Sequence, residues 1–182
     1  MSSPYTNAVR EVPLPAGSLV AGAFAATNYA DAFSITLPPG VAPDIDAIVR
    51  ALPSAAPWWV DVLMRIRNRV VRLVGLRTSR AVDAAPASRA PLQPGDQAGI
   101  FTVFARTDNE ILMGGDDRHL DFRASVLTRA DGERRAIVLS TVVHYNGWLG
   151  RVYFFFVRPF HRLIIPAMLR RLSLQLDDRS LA

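Results

Sequence analysis

From residue 100 onward the apolar side chains recur with a period of two, and this alternation continues almost without a break to residue 145. Four segments carry it: Ile100–Thr107, Glu110–Gly114, His119–Thr128 and Arg134–Tyr145. Short connections rich in Asp, Asn and Gly join each segment to the next. Such connections are too short for a crossover, so the pattern predicts four sequential strands in an antiparallel meander.

The last of these segments is apolar on both faces. Ile137, Leu139 and Val143 alternate with a second apolar set, Ala136, Val138 and Val142. A strand that is apolar on both sides belongs in the centre of a sheet. We therefore expect either a cover on each face of this strand or a tightly curved sheet.

Upstream of the meander, the pattern predicts one strand and two helices. The strand spans Asn28–Leu37, and a short helix follows from Asp44, its expected cap, to Pro53. A longer amphipathic helix is expected over Trp58–Leu76. Its polar face is basic and carries Arg65, Arg69 and Arg72. Residues 77–98 are typical of a loop or an irregular edge strand.

A second long helix is expected after the meander. Asn146 is its candidate N-cap, and it runs from Trp148 to about Leu176, kinked or broken at Pro159 and Pro166. Four consecutive aromatic residues, 153–156, surround its whole circumference. This predicts a helix covered on most sides. Exposed aromatic residues would instead indicate a dimer interface or contact with a membrane.

These elements predict one α+β domain. Its antiparallel sheet curves around the long C-terminal helix, with two helices between the first strand and the meander. Residues 1–27 are expected to form an extended lead-in, residues 28–176 the domain and residues 177–182 a tail. With 182 residues, half of them hydrophobic, the chain can bury its own core. The absence of cysteine excludes disulfides, thiol catalysis and cysteine-ligated metals.

Charge and hydropathy bear on partners and location. The formal net charge is +5 and all 21 basic residues are arginine, but acidic residues are interspersed among them. We therefore expect no nucleic-acid partner. The stretch Ala16–Ala26 lacks a signal core, and Arg, His and Pro interrupt Trp148–Leu169. A cytoplasmic protein without a transmembrane segment is expected, with peripheral membrane contact through the basic helix as an alternative.

Four short segments resemble a known family: Tyr29–Phe33, Asp117–Arg123, His144–Tyr153 and Pro159–His161. They look like a bacterial family catalogued as a domain of unknown function, and the likeness covers most of residues 9–175. The order of elements also resembles the helix-grip fold of the START-like superfamily. That resemblance implies an apolar cavity between the curved sheet and the C-terminal helix.

Two groups of residues are candidates for chemistry. Asp117, His119 and Asp121 alternate along a predicted strand, so they share a face and are candidate acid–base groups. A polar strand side facing solvent gives the same pattern. The second group lines the expected cavity and the start of the last helix, where an anionic head group is favoured. It comprises Ser140, His144, Asn146, Arg151, Tyr153, Phe156, Phe160 and His161.

The sequence therefore favours a protein that binds a hydrophobic small molecule or a lipid in this cavity. No metal and no cofactor are expected, because the chain carries no phosphate loop, dinucleotide fingerprint or zinc-binding helix. One alternative is a small-substrate enzyme that uses His119, Asp117 and Asp121, or His144, as acid–base groups. A peripheral membrane or interaction module is another, and a homodimer stays open.

Overall fold

The computed structural model describes residues 8–42, 44–60, 62, 65 and 90–180. Among these residues it contains seven strands, a short 3-10 helix and two α-helices with defined bounds, and residues 58–60, 62 and 65 are also helical. The strands are β1 Arg10–Glu11, β2 Tyr29–Thr36, β3 Gln97–Ala98, β4 Phe101–Arg106, β5 Glu110–Asp116, β6 Leu120–Asp131 and β7 Arg134–Tyr145. The helices are the 3-10 helix Leu19–Gly22, α1 Ile45–Ala55 and α2 Trp148–Ser180.

All seven strands form one antiparallel sheet in the order β1-β2-β7-β6-β5-β4-β3. The meander predicted from the period of two is confirmed as β4 to β7. Strand β7 is buried from Ala136 to Val143 and lies between β2 and β6. The expected α+β architecture, a curved antiparallel sheet with a long C-terminal helix, is therefore the one observed.

One face of the sheet, which we call the inner face, packs against both helices. The odd-numbered residues of β2 and β7 project from the inner face. Their side chains pack against those of α1 and of the C-terminal half of α2. The main buried side chains of this core are Phe33, Ile35, Ile48, Leu52, Val103, Ile111, Val126, Ile137, Leu139, Ile165, Leu169 and Leu172. The helices thus lie across the sheet, as the apolar alternation requires.

The other face, the outer face, is covered by the N-terminal segment. Val20 of the 3-10 helix is 1% exposed and packs against Leu112 and Val142. The backbone N–H of Leu19 donates to Glu110 Oε2 at 2.8 Å. The segment expected to be an extended lead-in therefore supplies both an edge strand, β1, and the second cover that β7 needs.

Helix α1 begins as predicted, because the Asp44 side chain accepts a hydrogen bond from Ala47 N. It ends at Ala55, two residues beyond Pro53. The longer helix predicted over Trp58–Leu76 is helical at 58–60, 62 and 65. Its remaining residues, including Arg69 and Arg72, lie outside the described residues.

The long C-terminal helix that the sequence predicts is present as α2. It was expected to be kinked or broken at Pro159 and Pro166, and it continues as one helix through both. Proline at position 159 leaves the carbonyl of Phe155 without its helical partner, and both residues are exposed, so water can bind that carbonyl. The prediction of a helix covered on most sides is wrong. Phe154 is 5% exposed, but Phe155 is 73% exposed.

A close approach fixes the first turn of α2 on the sheet. A Cβ placed on Gly150 would lie 1.9 Å from the backbone oxygen of His119. We expect Gly150→Ala to lower the free energy of unfolding by about 1–3 kcal/mol, because a backbone atom cannot move aside as a flexible side chain would.

Gly22→Ala is the matched control, since a Cβ at Gly22 meets no atom within 4 Å. Urea unfolding of both variants measures the difference. Equal stability of the two variants would show that α2 does not approach the sheet this closely.

Candidate functional site

The seam between the inner face and the first half of α2 carries apolar side chains that are only partly buried. Sheet and helix both contribute to this set, and two of its rings, Phe101 and Phe122, meet edge to face at 5.5 Å. We call the set the seam patch; it comprises Phe101, Phe122, Ala124, Tyr145, Tyr153 and Val157. An apolar molecule lying here would contact strands and helix together.

His119 lies at one end of the seam patch. Its residue is 3% exposed, and neither ring nitrogen makes a hydrogen bond. Asp117 Oδ1 lies 3.3 Å from Nδ1 and also accepts the backbone N–H of Arg118 at 2.6 Å. The His119 ring packs edge to face against the ring of Tyr153, a member of the seam patch, and the two ring centroids are 4.8 Å apart. A buried imidazole that has a carboxylate oxygen 3.3 Å from Nδ1, but no hydrogen bond at either nitrogen, therefore borders an apolar surface.

The turn between β5 and β6 holds His119 in this place. Asp121 Oδ1 accepts the backbone N–H of Asp117 at 3.1 Å and the Asn146 side-chain amide at 3.0 Å. That amide also donates to the Asp117 carbonyl at 2.8 Å, and Asn146 N donates to the His119 carbonyl at 3.0 Å. Asn146, which was expected to cap α2, therefore connects the β5–β6 turn to the start of this helix.

A second polar group interrupts the seam farther along α2. Asp31, on the inner face of β2, is 6% exposed. Its carboxylate accepts the Tyr29 hydroxyl at 2.5 Å and lies 3.1 Å from His161 Nε2. Because a carboxylate only accepts, Nε2 carries the proton. The Arg158 guanidinium is 5.4 Å from the centre of the Tyr29 ring.

The surroundings of these groups raise the pKa values of two tyrosine hydroxyls, those of Tyr29 and Tyr145. Burial raises the pKa of the Tyr29 hydroxyl above its ordinary value, and the hydrogen bond to Asp31 and the charge of that carboxylate raise it further. Arg162 and Arg158 oppose this rise in the pKa of Tyr29. Burial also raises the pKa of Tyr145. Both hydroxyls are therefore held protonated, as hydrogen-bond donors.

The chemistry of the seam follows from these contacts. Asp31 orients the His161 ring as a carboxylate orients a catalytic or ligating histidine, and leaves Nδ1 as an acceptor in the neutral ring. His119 offers an unpaired nitrogen next to an apolar surface. Among the described residues, no group of three acidic or histidine side chains is placed to hold a metal ion.

A family model described as "Protein of unknown function (DUF2867)" matches residues 23–168. The chain belongs to this family. The matched span contains both polar ends of the seam, from Tyr29 to His161. The chain matches no curated protein.

The structure separates the residues predicted to line one cavity of this DUF2867 protein. Asn146, Tyr153 and His161 lie along the seam. Ser140 and His144 project from the outer face instead, where His144 Nδ1 is 2.8 Å from the Ala26 carbonyl oxygen. The remaining three, Arg151, Phe156 and Phe160, are exposed on α2.

The acid–base group predicted on one strand face is also divided. Asp117 and His119 lie in the turn before β6, and Asp121 lies on its outer face, opposite His144. The strand predicted to begin at His119 begins one residue later, at Leu120, so Asp117 and His119 precede it. The side chains of Asp117 and His119 lie 3.3 Å apart, whereas the Asp121 carboxylate contacts the backbone N–H of Asp117.

Sequence reasoning overlooked the pair Tyr29 and Asp31 as site residues of the DUF2867 chain. The sequence did contain an indication of this pair. Tyr29 and Asp31 alternate with the same period of two as Phe33 and Ile35, so they lie on the same face of β2 as those core residues. An acidic residue at a core position of a strand is seldom buried unless it is paired. His161, which occupies the buried face of α2, is the matching partner.

The raised pKa of Tyr29 makes stability depend on pH in the alkaline range. Above about pH 10 the unfolded chain releases this proton while the folded protein keeps it, so the free energy of unfolding falls as pH rises. The Tyr29→Phe variant has no hydroxyl proton at this position, so its stability lacks this contribution to the pH dependence. At neutral pH we expect the variant to be less stable by about 1.5–3 kcal/mol, because Asp31 loses a donor.

The stability gap between Tyr29→Phe and wild type should therefore narrow above about pH 10. Urea unfolding at a series of pH values measures it, and Tyr145 contributes equally to both proteins. Parallel stability curves would show that Tyr29 titrates normally in the folded state.

Proposed function

We propose that this DUF2867 protein binds an apolar small molecule that carries a hydroxyl group. The molecule's apolar body would lie on the seam patch, and its hydroxyl would donate to His119. The observation that carries the proposal is the buried His119 ring, whose nitrogens lack hydrogen-bond partners beside half-buried apolar side chains.

The energetics support a ligand at this position. A buried polar group left unpaired costs about 1–3 kcal/mol, so a ligand that pairs with the His119 ring would recover this free energy on binding. Asp117 Oδ1 is nearest to Nδ1, and a carboxylate accepts but does not donate. The proton therefore belongs on Nδ1, and Nε2 is left as an acceptor. An acceptor selects a donor such as an alcohol.

The resemblance to the helix-grip fold supports the same proposal. A curved antiparallel sheet packs against a long C-terminal helix, in the element order of the START-like superfamily. We extend the proposal to membership of that superfamily, in which the seam between sheet and helix would hold the ligand.

An acid–base enzyme has less support at these residues. Asp121 Oδ1 is engaged by the turn backbone and by Asn146, so it serves to position the turn. His144 packs under the N-terminal segment, with Nδ1 next to the Ala26 carbonyl. The His161–Asp31 pair has the better geometry for proton transfer, but Tyr29 already occupies the same carboxyl group.

The first test compares two matched probes, 1-decanol and its methyl ether. Both have the same apolar chain, but only the alcohol has a hydrogen to donate to His119 Nε2. We expect the alcohol to bind about tenfold more tightly, because the ether leaves the buried nitrogen unpaired. Calorimetric titration measures both constants.

The second test changes the anchor. His119→Leu should abolish the preference for the alcohol while leaving the melting temperature unchanged or higher, because it removes an unpaired polar group from the interior. His144→Leu is the control, since it alters a histidine on the opposite face, and it should keep the preference. Equal affinity for both probes in wild type, or a His119→Leu variant that unfolds, would contradict the proposal.

A further inference from the structure

The side of α2 that faces away from the sheet is apolar over four turns. Its residues follow each other at helical spacing, and three of them are strongly exposed: Trp148 at 76%, Phe155 at 73% and Phe156 at 64%. We call this set the outer stripe; it comprises Trp148, Val152, Phe155, Phe156, Phe160 and Leu163, all exposed. An exposed apolar stripe of this length marks an interaction surface.

The sequence of α2 is as apolar as its exposed surface suggests. Among the described residues, Trp148–Asp177 is the one helix long and apolar enough to cross a membrane. Its most apolar 18 residues have a mean hydropathy of 1.3, and only 17% of them are buried. However, the opposite side of the helix carries Phe154, Ile165 and Leu169, which belong to the protein core. Removing α2 from the sheet would also expose the Asp31–His161 pair, so α2 is suited to lie along a bilayer surface.

The charge that α2 itself contributes beside the outer stripe has one sign, although Arg162 is paired with Glu11 of β1. Between Trp148 and Leu176 the sequence contains five arginines and no acidic residue. Arg151 and Arg158 are exposed, four residues before and three residues after Phe155, and therefore lie next to it on the helix surface. Arg158 borders the sheet side of the stripe, because its guanidinium is 5.4 Å from the centre of the Tyr29 ring. Two copies of this chain joined through the stripe would bring these arginines together. An anionic lipid surface instead complements them.

We propose that α2 docks on an anionic phospholipid bilayer through the outer stripe. The aromatic side chains enter the head-group region, and Arg151 pairs with a lipid phosphate. This proposal does not depend on a ligand in the seam, because the outer stripe and the seam patch lie on different sides of α2.

Vesicle flotation tests the docking. We expect the full-length protein to float with vesicles of phosphatidylglycerol and phosphatidylcholine, and to bind vesicles of phosphatidylcholine alone much more weakly. The double variant Phe155→Ser/Phe156→Ser should reduce binding by about tenfold or more, because it removes two apolar side chains from the bilayer contact. Arg151→Gln should weaken binding to the anionic vesicles and reduce its sensitivity to salt.

Leu174→Ser is the matched control. Leu174 is 53% exposed on the same helix but lies beyond the outer stripe, so this variant should float like wild type. Equal binding to both kinds of vesicle, or full binding by the double variant, would overturn the proposal. So would a stable dimer in sedimentation equilibrium that the double variant dissociates, since the stripe would then be an interface between two copies.

Discussion

Helix α2 contacts the sheet through one of its sides, and the position of every other functional group depends on that packing. Gly150 allows the first turn to approach the His119 carbonyl, and Ile165, Leu169 and Leu172 complete the core at the other end. Between these contacts the seam patch is only half-buried. The same one-sided packing leaves the outer stripe uncovered, so both proposed surfaces have a common origin.

The two histidines of the seam differ in how their polar atoms are satisfied. His161 donates to a buried carboxylate that also accepts the Tyr29 hydroxyl, so this group forms a closed network. His119 is more deeply buried than His161 and has no such network. Stability explains the first arrangement, because an unpaired Asp31 would be costly. It does not explain the second, and for this reason we place the ligand anchor at His119.

Much of the fold was readable from the sequence, because a period of two specifies strands and short connections specify their antiparallel order. The faces were harder to assign. Both sides of β7 are apolar, so parity alone does not say whether Ser140 and His144 face the helix or the N-terminal segment. The four aromatic residues at the start of α2 likewise do not show which side the sheet covers. Asn146 has a cap-forming side chain, but the turn at Asp117 offers it two acceptors. These outcomes depend on contacts distant in sequence.

The most direct measurement is a two-dimensional proton–nitrogen spectrum of the histidine side chains, recorded during titration with 1-decanol. The chain contains three histidines, and all of them are described. Our account predicts that the His119 Nε2 resonance, identified by its loss in His119→Leu, shifts as the nitrogen accepts a hydrogen bond, while those of His144 and His161 stay in place. An unchanged His119 resonance at saturating alcohol would contradict it.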